Sequence, residues 1–120
     1  MVTIDELAAA REPEVATVRR DGTAGWVPFW VVRVGDGIYA RSHRGPSAGW
    51  YSSAMADGRT TLRLGDREVP VTVTPIGDAL RAEIDAAYRA KYGAEPADAP
   101  YVAPMLGDAV VATTVRLTPA

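Results

Sequence analysis

The chain has 120 residues, of which 48% are hydrophobic and 23% charged, a balance that is typical of one globular domain and argues against disordered, collagen-like and membrane-spanning classes. It contains no cysteine and one histidine, so disulfide bonds, thiolate metal sites and multi-histidine metal sites within one chain are excluded. The net charge of -2 offers no general attraction to nucleic acid or anionic membranes. We expect a single domain over residues 1–120, no metal, and a cytoplasmic location because no secretory signal is recognisable.

The first part of the chain predicts one short helix followed by three antiparallel strands. Thr3 and Glu6 match a capping box, and Pro13 prevents the helix from continuing further. Two Asp-Gly pairs then divide runs of β-branched and aromatic residues, a pattern that is typical of tight hairpin turns. The predicted strands cover about residues 15–20, 25–34 and 37–42.

The middle predicted strand, residues 25–34, is apolar on both faces. Trp30 points to one side of such a strand, while Phe29 and Val31 point to the other. A strand buried on both sides needs cover from two directions, which favours a barrel interior on one face and a helix, a ligand or a second subunit on the other. Pro28 lacks an amide hydrogen and therefore indicates an edge position or a bulge.

The second part predicts two more helices and three more strands. The expected elements are a helix over residues 47–58, a hairpin turning at residues 65–66, a helix over residues 78–93 and a final strand over residues 108–119. Ser47 and Asp78 are the predicted N-caps of the helices, and Gly58 and Gly93 lie where the helices end. Six strands joined mostly by short turns, with three helices, predict a mainly β protein built as a small antiparallel barrel with helices around it.

Residues 39–54, with the sequence YARSHRGPSAGWYSSA, hold the densest polar and aromatic chemistry of the chain. Arg41, Arg44 and several hydroxyl groups precede the start of a helix, where free N–H groups and partial positive charge favour an anion. This combination predicts a phosphate or carboxylate site. The alternative is a capped helix with Trp50 packed in the core and both arginines solvated.

His43 and Tyr51 are the candidate catalytic residues of this stretch, because their side chains can transfer protons. A lone histidine beside two arginines is more often a surface or packing residue than a general base. Trp30, Trp50 and Tyr51 would line a ligand pocket. The sequence has no nucleophile-elbow, Walker or dinucleotide-binding motif, so the residues alone leave the reaction class open.

Five segments carry a resemblance to a known family. They read VRRDGT, WVPFWVVRVGDGIYARSHRG, GWYSSA, AAYRAKYG and ATTVRLTP. Over residues 15–119 the chain resembles a bacterial family of uncharacterised small proteins placed among the flavin-binding split β-barrels. It is more distantly similar to the deazaflavin-dependent nitroreductases, whose third strand ends in a serine and a glycine-containing loop before a Trp-Tyr helix start.

The resemblance implies a six-stranded antiparallel split β-barrel of the FMN-binding kind, which forms a homodimer and holds FMN or a deazaflavin at the subunit interface. On the phosphate side of the cofactor the matching positions are Ser42, Arg44, Gly45 and Ser47, and Trp50 and Tyr51 match ring-side or packing positions. Arg41 is a further candidate on chemical grounds, because a guanidinium binds phosphate well.

The resulting expectation is a flavin- or deazaflavin-dependent oxidoreductase that acts on a small organic substrate, with no nucleic-acid or membrane partner. One alternative is a cofactor-free protein that binds a small molecule in the same barrel pocket. Another is a non-redox enzyme, an isomerase or a lyase, that uses His43 or a tyrosine as acid or base. The cofactor is accordingly FMN, a deazaflavin or none.

Overall fold

The computed structural model describes residues 2–19 and 21–120 and contains one antiparallel sheet with helices. The strands are β1 (Glu14–Val18), β2 (Ala24–Pro28), β3 (Val31–Val34), β4 (Gly37–Ala40), β5 (Arg59–Leu64), β6 (Arg67–Pro75) and β7 (Val115–Pro119). The α-helices are α1 (Ile4–Ala9), α2 (Gly49–Asp57), α3 (Arg81–Tyr92) and α4 (Asp108–Val111), and short 3-10 helices cover Gly45–Ser47, Ala99–Tyr101 and Ala103–Leu106. No helix in the described part of the chain is both long and apolar enough to cross a membrane.

The sheet is curled so that its two edges approach each other. Its seven described strands run in the order β2-β1-β5-β6-β7-β4-β3, so β2 and β3 are the opposite edges. Laid flat, these edges would be about 29 Å apart at the usual strand spacing of ~4.8 Å. Only Phe29 and Trp30 connect them, and two linking residues span roughly 10 Å. The sheet therefore forms a half-barrel whose open side lies beside these two residues.

The single strand predicted over residues 25–34 is wrong, which is why the sheet has seven strands and not six. The chain leaves one edge at Pro28 and enters the other at Val31, so β2 pairs with β1 while β3 pairs with β4. Pro28 has no amide hydrogen to continue a ladder, and the next amide, that of Phe29, donates to the Pro13 carbonyl 3.0 Å away. The prediction of an edge position for Pro28 is confirmed.

Two apolar clusters cover the two faces of this sheet. The first, which we call the α2 cluster, contains Leu7, Val15, Phe29, Val31, Ile38, Ala40, Trp50, Ala54, Leu62, Val69, Val71, Val73, Val115 and Leu117 among its buried residues. The second, the α3 cluster, contains Val32, Tyr39, Ile84, Tyr88, Tyr92, Val102 and Met105. Val31 and Val32 are neighbours in sequence and belong to different clusters, as expected for a strand buried on both faces.

Helix boundaries follow the predictions at some ends and depart from them at others. The Thr3 hydroxyl accepts a hydrogen bond from the Glu6 amide at 3.1 Å, which confirms Thr3 as the N-cap. The Glu6 carboxylate accepts from Arg67, so the reciprocal bond of a capping box is not formed among the described residues. Gly58, with φ 71°, ends α2 in the left-handed conformation that glycine adopts without strain. The first predicted strand ends at Val18 among the described residues, and Arg20, its predicted last residue, lies outside them.

Ser47 and Asp78 are not the N-caps that the sequence predicts. Ser47 lies inside a 3-10 turn and its hydroxyl donates to the Arg44 carbonyl, so α2 begins two residues later. The Asp78 carbonyl accepts the Arg81 amide at 3.2 Å, so a turn precedes α3 and the helix begins at Arg81. Neither helix start receives a side-chain cap.

The final strand is shorter than predicted because a helical segment precedes it. Residues 108–111 form α4, and β7 begins only at Val115. Thr113 and Thr114 donate their hydroxyls back to the carbonyls of Val110 and Val111, each at 2.6 Å, and so favour a turn over a strand.

Candidate functional site

A cavity of about 450 Å³ opens where the two sheet edges meet, and its size lies in the range of sites for organic ligands. Its lining residues are Thr17, Val27, Pro28, Phe29, Trp30, Arg41, His43, Arg44, Ala48, Gly49, Trp50, Tyr101 and Met105. Phe29 and Trp50 belong to the α2 cluster, whereas Met105 belongs to the α3 cluster. The cavity therefore occupies the seam between the two clusters.

Aromatic rings form a rigid part of the cavity wall. Phe29 and Trp50 meet edge to face with ring centroids 5.3 Å apart. The Trp30 ring stacks on the ring of Tyr92 of α3, with centroids 4.0 Å apart and an interplanar angle of 6°, and this contact fixes its position. Two fixed aromatic surfaces thus border the cavity, and a planar ligand can stack against such surfaces.

Arg41 follows β4 and is fully enclosed by the protein. Its Nη1 donates to the Asp85 carboxylate at 2.6 Å and to the Met105 carbonyl at 3.0 Å, and its Nε donates to the Thr114 hydroxyl at 3.0 Å. The guanidinium carbon lies 5.3 Å from the Tyr88 ring centroid. Nη2 is buried without a hydrogen-bond partner among the described residues. A buried charged donor without a partner costs free energy, so Nη2 is an unsatisfied group next to the cavity.

His43 and Arg44 occupy the exposed mouth of the cavity. Among the described residues no side chain forms an ion pair with Arg44, although the Arg44 carbonyl accepts the Ser47 hydroxyl. The described lining contains no carboxylate, so the charge of Arg44 is not balanced there, whereas that of Arg41 is already paired with Asp85 of α3. The electrostatic balance of the cavity therefore favours an anionic group at its mouth.

The first residues of α2 form another wall of the cavity. Ala48, Gly49 and Trp50 line it, and the helix begins without a side-chain cap, so its first amide hydrogens have no partner inside the helix. Only glycine fits at position 49, because the start of α2 lies close to β1. A Cβ atom at Gly49 would lie 2.7 Å from both the Thr17 hydroxyl oxygen and the Val18 carbonyl oxygen. The glycine thus lets the helix start pack directly against β1.

The structure brings about half of the sequence-predicted site residues to the cavity. Those that line it are Trp30, Arg41, His43, Arg44 and Trp50, and those that do not are Ser42, Gly45, Ser47 and Tyr51. Tyr51 lies in α2 and packs edge to face on Trp50, whereas the other three belong to the loop before this helix. The Ser42 hydroxyl donates to the Gly45 carbonyl at 2.6 Å, and Gly45 has φ 73°, which allows the chain to turn. Whether these residues contact a ligand stays a prediction.

Several lining residues were not identified from the sequence. They are Thr17, Val27, Pro28, Phe29, Ala48, Gly49, Tyr101 and Met105. The run of apolar residues around Phe29 was the available signal for part of this set, because it indicated burial on two faces. Tyr101 gave no such signal, since it lies in an irregular segment rich in proline and alanine.

Buried tyrosines and one lysine connect α3 to the rest of the molecule. Burial raises the pKa of the Tyr88 and Tyr92 hydroxyls well above their usual value of 10.0. Burial also lowers the pKa of Lys91 to about 8, with the nearby Arg11 charge acting in the same direction. The Lys91 Nζ donates to the carbonyls of Ala10 and Val31, each at 2.7 Å, so this lysine serves the packing of α3.

The curled antiparallel sheet and the cavity at its seam define a small β-rich protein whose cavity is bordered by aromatic rings and by Arg44. The chain belongs to the bacterial family described as "Uncharacterized protein conserved in bacteria (DUF2255)", whose model matches residues 3–117. This confirms the family resemblance seen in the sequence. No curated protein matches the chain.

Solved structures with low sequence identity share the fold. A conserved hypothetical protein from Mycobacterium tuberculosis is 16% identical with a TM-score of 0.58, and the match covers 95% of this chain and 74% of that chain. A candidate 5-nitroimidazole antibiotic resistance protein from Bacteroides thetaiotaomicron is also 16% identical with a TM-score of 0.58, over 94% of this chain and 75% of that chain. An FAD-binding protein from Mesorhizobium loti is 18% identical with a TM-score of 0.51, over 94% and 82% of the two chains.

Proposed function

We propose that this protein is a dimeric split β-barrel that acts as a flavin- or deazaflavin-dependent oxidoreductase on a small organic substrate. The observation that carries the proposal is the cavity of about 450 Å³, which combines aromatic walls with cationic groups and has no carboxylate in its described lining. The likeness in fold between this chain and an FAD-binding protein also supports a flavin-type ligand. It leaves the particular cofactor open between FMN and a deazaflavin.

The residues present fit a flavin-type group in chemical terms. Trp30 and Trp50 offer surfaces for a planar ring, while Arg44 and the uncapped start of α2 offer donors and positive charge for a phosphate. The orphaned Nη2 of Arg41 is a further buried donor that an acceptor on such a group would satisfy. When bound, a flavin or deazaflavin supplies the hydride chemistry, and the protein binds it, orients it and excludes water.

A second copy of the chain would complete the site at its open side. Tyr101, which lines the cavity, is 60% exposed, and Val18, next to lining residue Thr17, is 50% exposed. Large apolar side chains exposed beside a ligand cavity are typical of interaction surfaces. We expect sedimentation to give a dimer, and Tyr101→Glu to shift it toward the monomer while leaving the far-ultraviolet circular dichroism spectrum unchanged.

The absorption spectrum of freshly purified protein tests the redox proposal, because flavin and deazaflavin absorb in different parts of the near-ultraviolet and visible range. Calorimetric titration of the cofactor-free protein with FMN and with a deazaflavin should give saturable binding of one of them. Trp50→Ala should weaken this binding about tenfold or more if the ring stacks there. Absence of bound chromophore together with absence of binding to either compound would overturn the proposal.

The cofactor-free binding protein and the non-redox enzyme remain the competing functions, and the same titrations separate them from the proposal. A non-redox enzyme would depend on His43, which lines the cavity, and not on Tyr51, which does not. If the flavin proposal holds, His43→Gln should leave flavin binding and flavin-dependent turnover nearly unchanged, because the cofactor and not His43 supplies the chemistry. If this substitution instead abolished turnover while binding persisted, His43 would have a role in proton transfer.

A further inference from the structure

We infer that two arginines three residues apart divide the recognition of one ligand. Arg41 donates to an uncharged acceptor, such as a ring carbonyl, while Arg44 binds the anionic group. This inference rests on the proposed function, since it assigns the two ends of the proposed flavin-type ligand to different parts of the cavity. It also departs from the sequence prediction, in which both arginines serve a phosphate or carboxylate.

The unused donors of Arg41 all belong to Nη2. Nε and Nη1 are engaged by Thr114, Asp85 and Met105, and the side chain is 0% exposed. Nη2 is buried without a partner among the described residues, and Arg41 belongs to the cavity lining. Nη2 is covered by the lining, so a ligand acceptor would reach it only where that lining yields, and the bonds of Nε and Nη1 keep the guanidinium plane fixed for that contact.

The charge of Arg41 is already balanced inside the protein. The Asp85 carboxylate lies 2.6 Å from Nη1 and is itself only 14% exposed. An anionic phosphate on Nη2 of the same guanidinium would be roughly 5 Å from this carboxylate, and the two negative charges would repel each other in a poorly solvated environment. A neutral carbonyl oxygen would satisfy the orphaned donor without adding a buried charge. Arg41 therefore suits an uncharged acceptor.

Arg44 has the opposite properties. It is exposed at the cavity mouth, and no carboxylate forms an ion pair with it among the described residues. The uncapped first turn of α2 lines the same cavity and contributes N–H groups with partial positive charge. An anionic group can keep part of its hydration there while it gains these contacts. The ligand that fits both places has a carbonyl-bearing planar ring at one end and an anionic group at the other.

Riboflavin and FMN form the matched probe pair, because they share the ring and differ by the phosphate. We expect Arg44→Gln to lower the affinity for FMN about tenfold and to leave the affinity for riboflavin unchanged. Arg41→Lys removes the planar guanidinium and its fixed N–H donors, so it should lower the affinities for FMN and for riboflavin by the same factor, about tenfold or more. Arg59→Gln, which removes the same charge from an exposed position of β5 outside the lining, is the control and should change neither affinity.

The wild-type protein provides a second measurement that does not depend on the folding of the Arg41→Lys variant. If the phosphate lies at exposed Arg44, the ratio of FMN to riboflavin affinity should fall as salt rises from 0.05 to 0.5 M, by about threefold or more. A ratio that does not change with salt, or a loss confined to FMN in Arg41→Lys, would place the phosphate at Arg41 and overturn the inference. Unchanged riboflavin binding in folded Arg41→Lys would overturn it too. Failure of the wild-type protein to bind riboflavin and FMN would overturn the inference, and it would overturn the proposed function as well only if the deazaflavin titration also showed no binding.

Discussion

The two faces of the curled sheet are packed by different means. The α2 cluster is built from aliphatic and aromatic side chains, and residues such as Val15, Val31 and Leu62 are completely buried there. The α3 cluster contains three buried tyrosines and lies against the buried guanidinium of Arg41. The packing of the first face is therefore stabilised by close filling of the core volume. That of the second face is stabilised in addition by hydrogen bonds between specific partners.

The hydrogen bonds of the α3 cluster connect this helix to two distant segments. The Tyr92 hydroxyl accepts the Val31 amide at 3.1 Å and donates to the Arg11 carbonyl at 2.7 Å. Lys91 donates to the Val31 and Ala10 carbonyls. The edge strand β3 and the segment after α1 are thus held by the last turn of α3. Since Trp30 stacks on Tyr92, the same contacts position one wall of the cavity.

The largest loss of stability should come from removing volume in the α2 cluster. Leu62 is 0% exposed in a central strand, so Leu62→Ala should lower the free energy of unfolding by about 2–5 kcal/mol, measured by urea denaturation. Thr72→Ala, at an exposed position of β6, is the control and should cost less than about 1 kcal/mol. Similar losses for the two variants would contradict the view that filled volume holds this face.

Close approach of backbones is a second form of tight packing on the α2 side. Gly49→Ala would place a methyl group 2.7 Å from the Thr17 hydroxyl and the Val18 carbonyl, so α2 must move away from β1. We expect a loss of about 1–3 kcal/mol in the same denaturation experiment. Ala56→Ser, on the exposed side of α2, serves as control and should stay within about 0.5 kcal/mol. An unchanged Gly49→Ala variant would show that this contact is loose.

On the α3 side, the matched pair Tyr92→Phe and Tyr88→Phe tests hydrogen bonding at nearly constant volume. Tyr92→Phe leaves the buried Val31 amide without its hydroxyl partner and should cost about 1–3 kcal/mol. The Tyr88 hydroxyl has no hydrogen-bond partner among the described residues, so Tyr88→Phe should cost less than the first change or nothing. Equal losses would mean that ring packing, and not the hydroxyl, explains the Tyr92 effect.

The two tyrosines also predict how this face responds to alkali. Their pKa values are raised by burial, so above pH 10 the unfolded chain loses protons that the folded chain keeps. The folded state then binds more protons, and stability must fall as the pH rises further. Tyr92→Phe should make this fall less steep, because one of the two tyrosine contributions is gone. Leu62→Ala should leave the slope unchanged.

The sequence predicted the features that depend on local rules, and it missed those that depend on the closure of the sheet. The Thr3 cap, the Gly58 helix end and the hairpin at residues 65–66 follow from neighbours along the chain, and all three are confirmed. The break at Phe29 was missed because a continuous apolar run gives the same pattern whether the strand continues or crosses between two edges. Only the pairing of β2 and β3 with different partners decides between these possibilities.

The candidate site shows the same limit at the level of single residues. The polar stretch after β4 indicated Arg41 and Arg44 together, because the sequence alone does not show which of the two guanidiniums is buried. Their burial differs because Asp85 on α3 and Met105 in a distant segment enclose one of them, and contacts so remote in sequence leave no local signal. Tyr101 was missed for a similar reason, since it reaches the cavity from an irregular segment.

The smallest expected effect concerns Lys91 and has the opposite sign to the tyrosine effect. Burial lowers its pKa from 10.5 to about 8, so between these values the unfolded chain binds a proton that the folded chain has released. Stability should therefore rise with pH in this window, by less than about 1 kcal/mol because Lys91 is partly exposed. Urea denaturation at pH 7.5 and pH 9.0 measures the rise while most tyrosines of the unfolded chain are still protonated. In Lys91→Arg the side chain stays charged throughout, so the rise should disappear. A rise of the same size in both proteins would assign it to another group and would leave the hydrogen bonds of Tyr92 as the main polar contribution to this face.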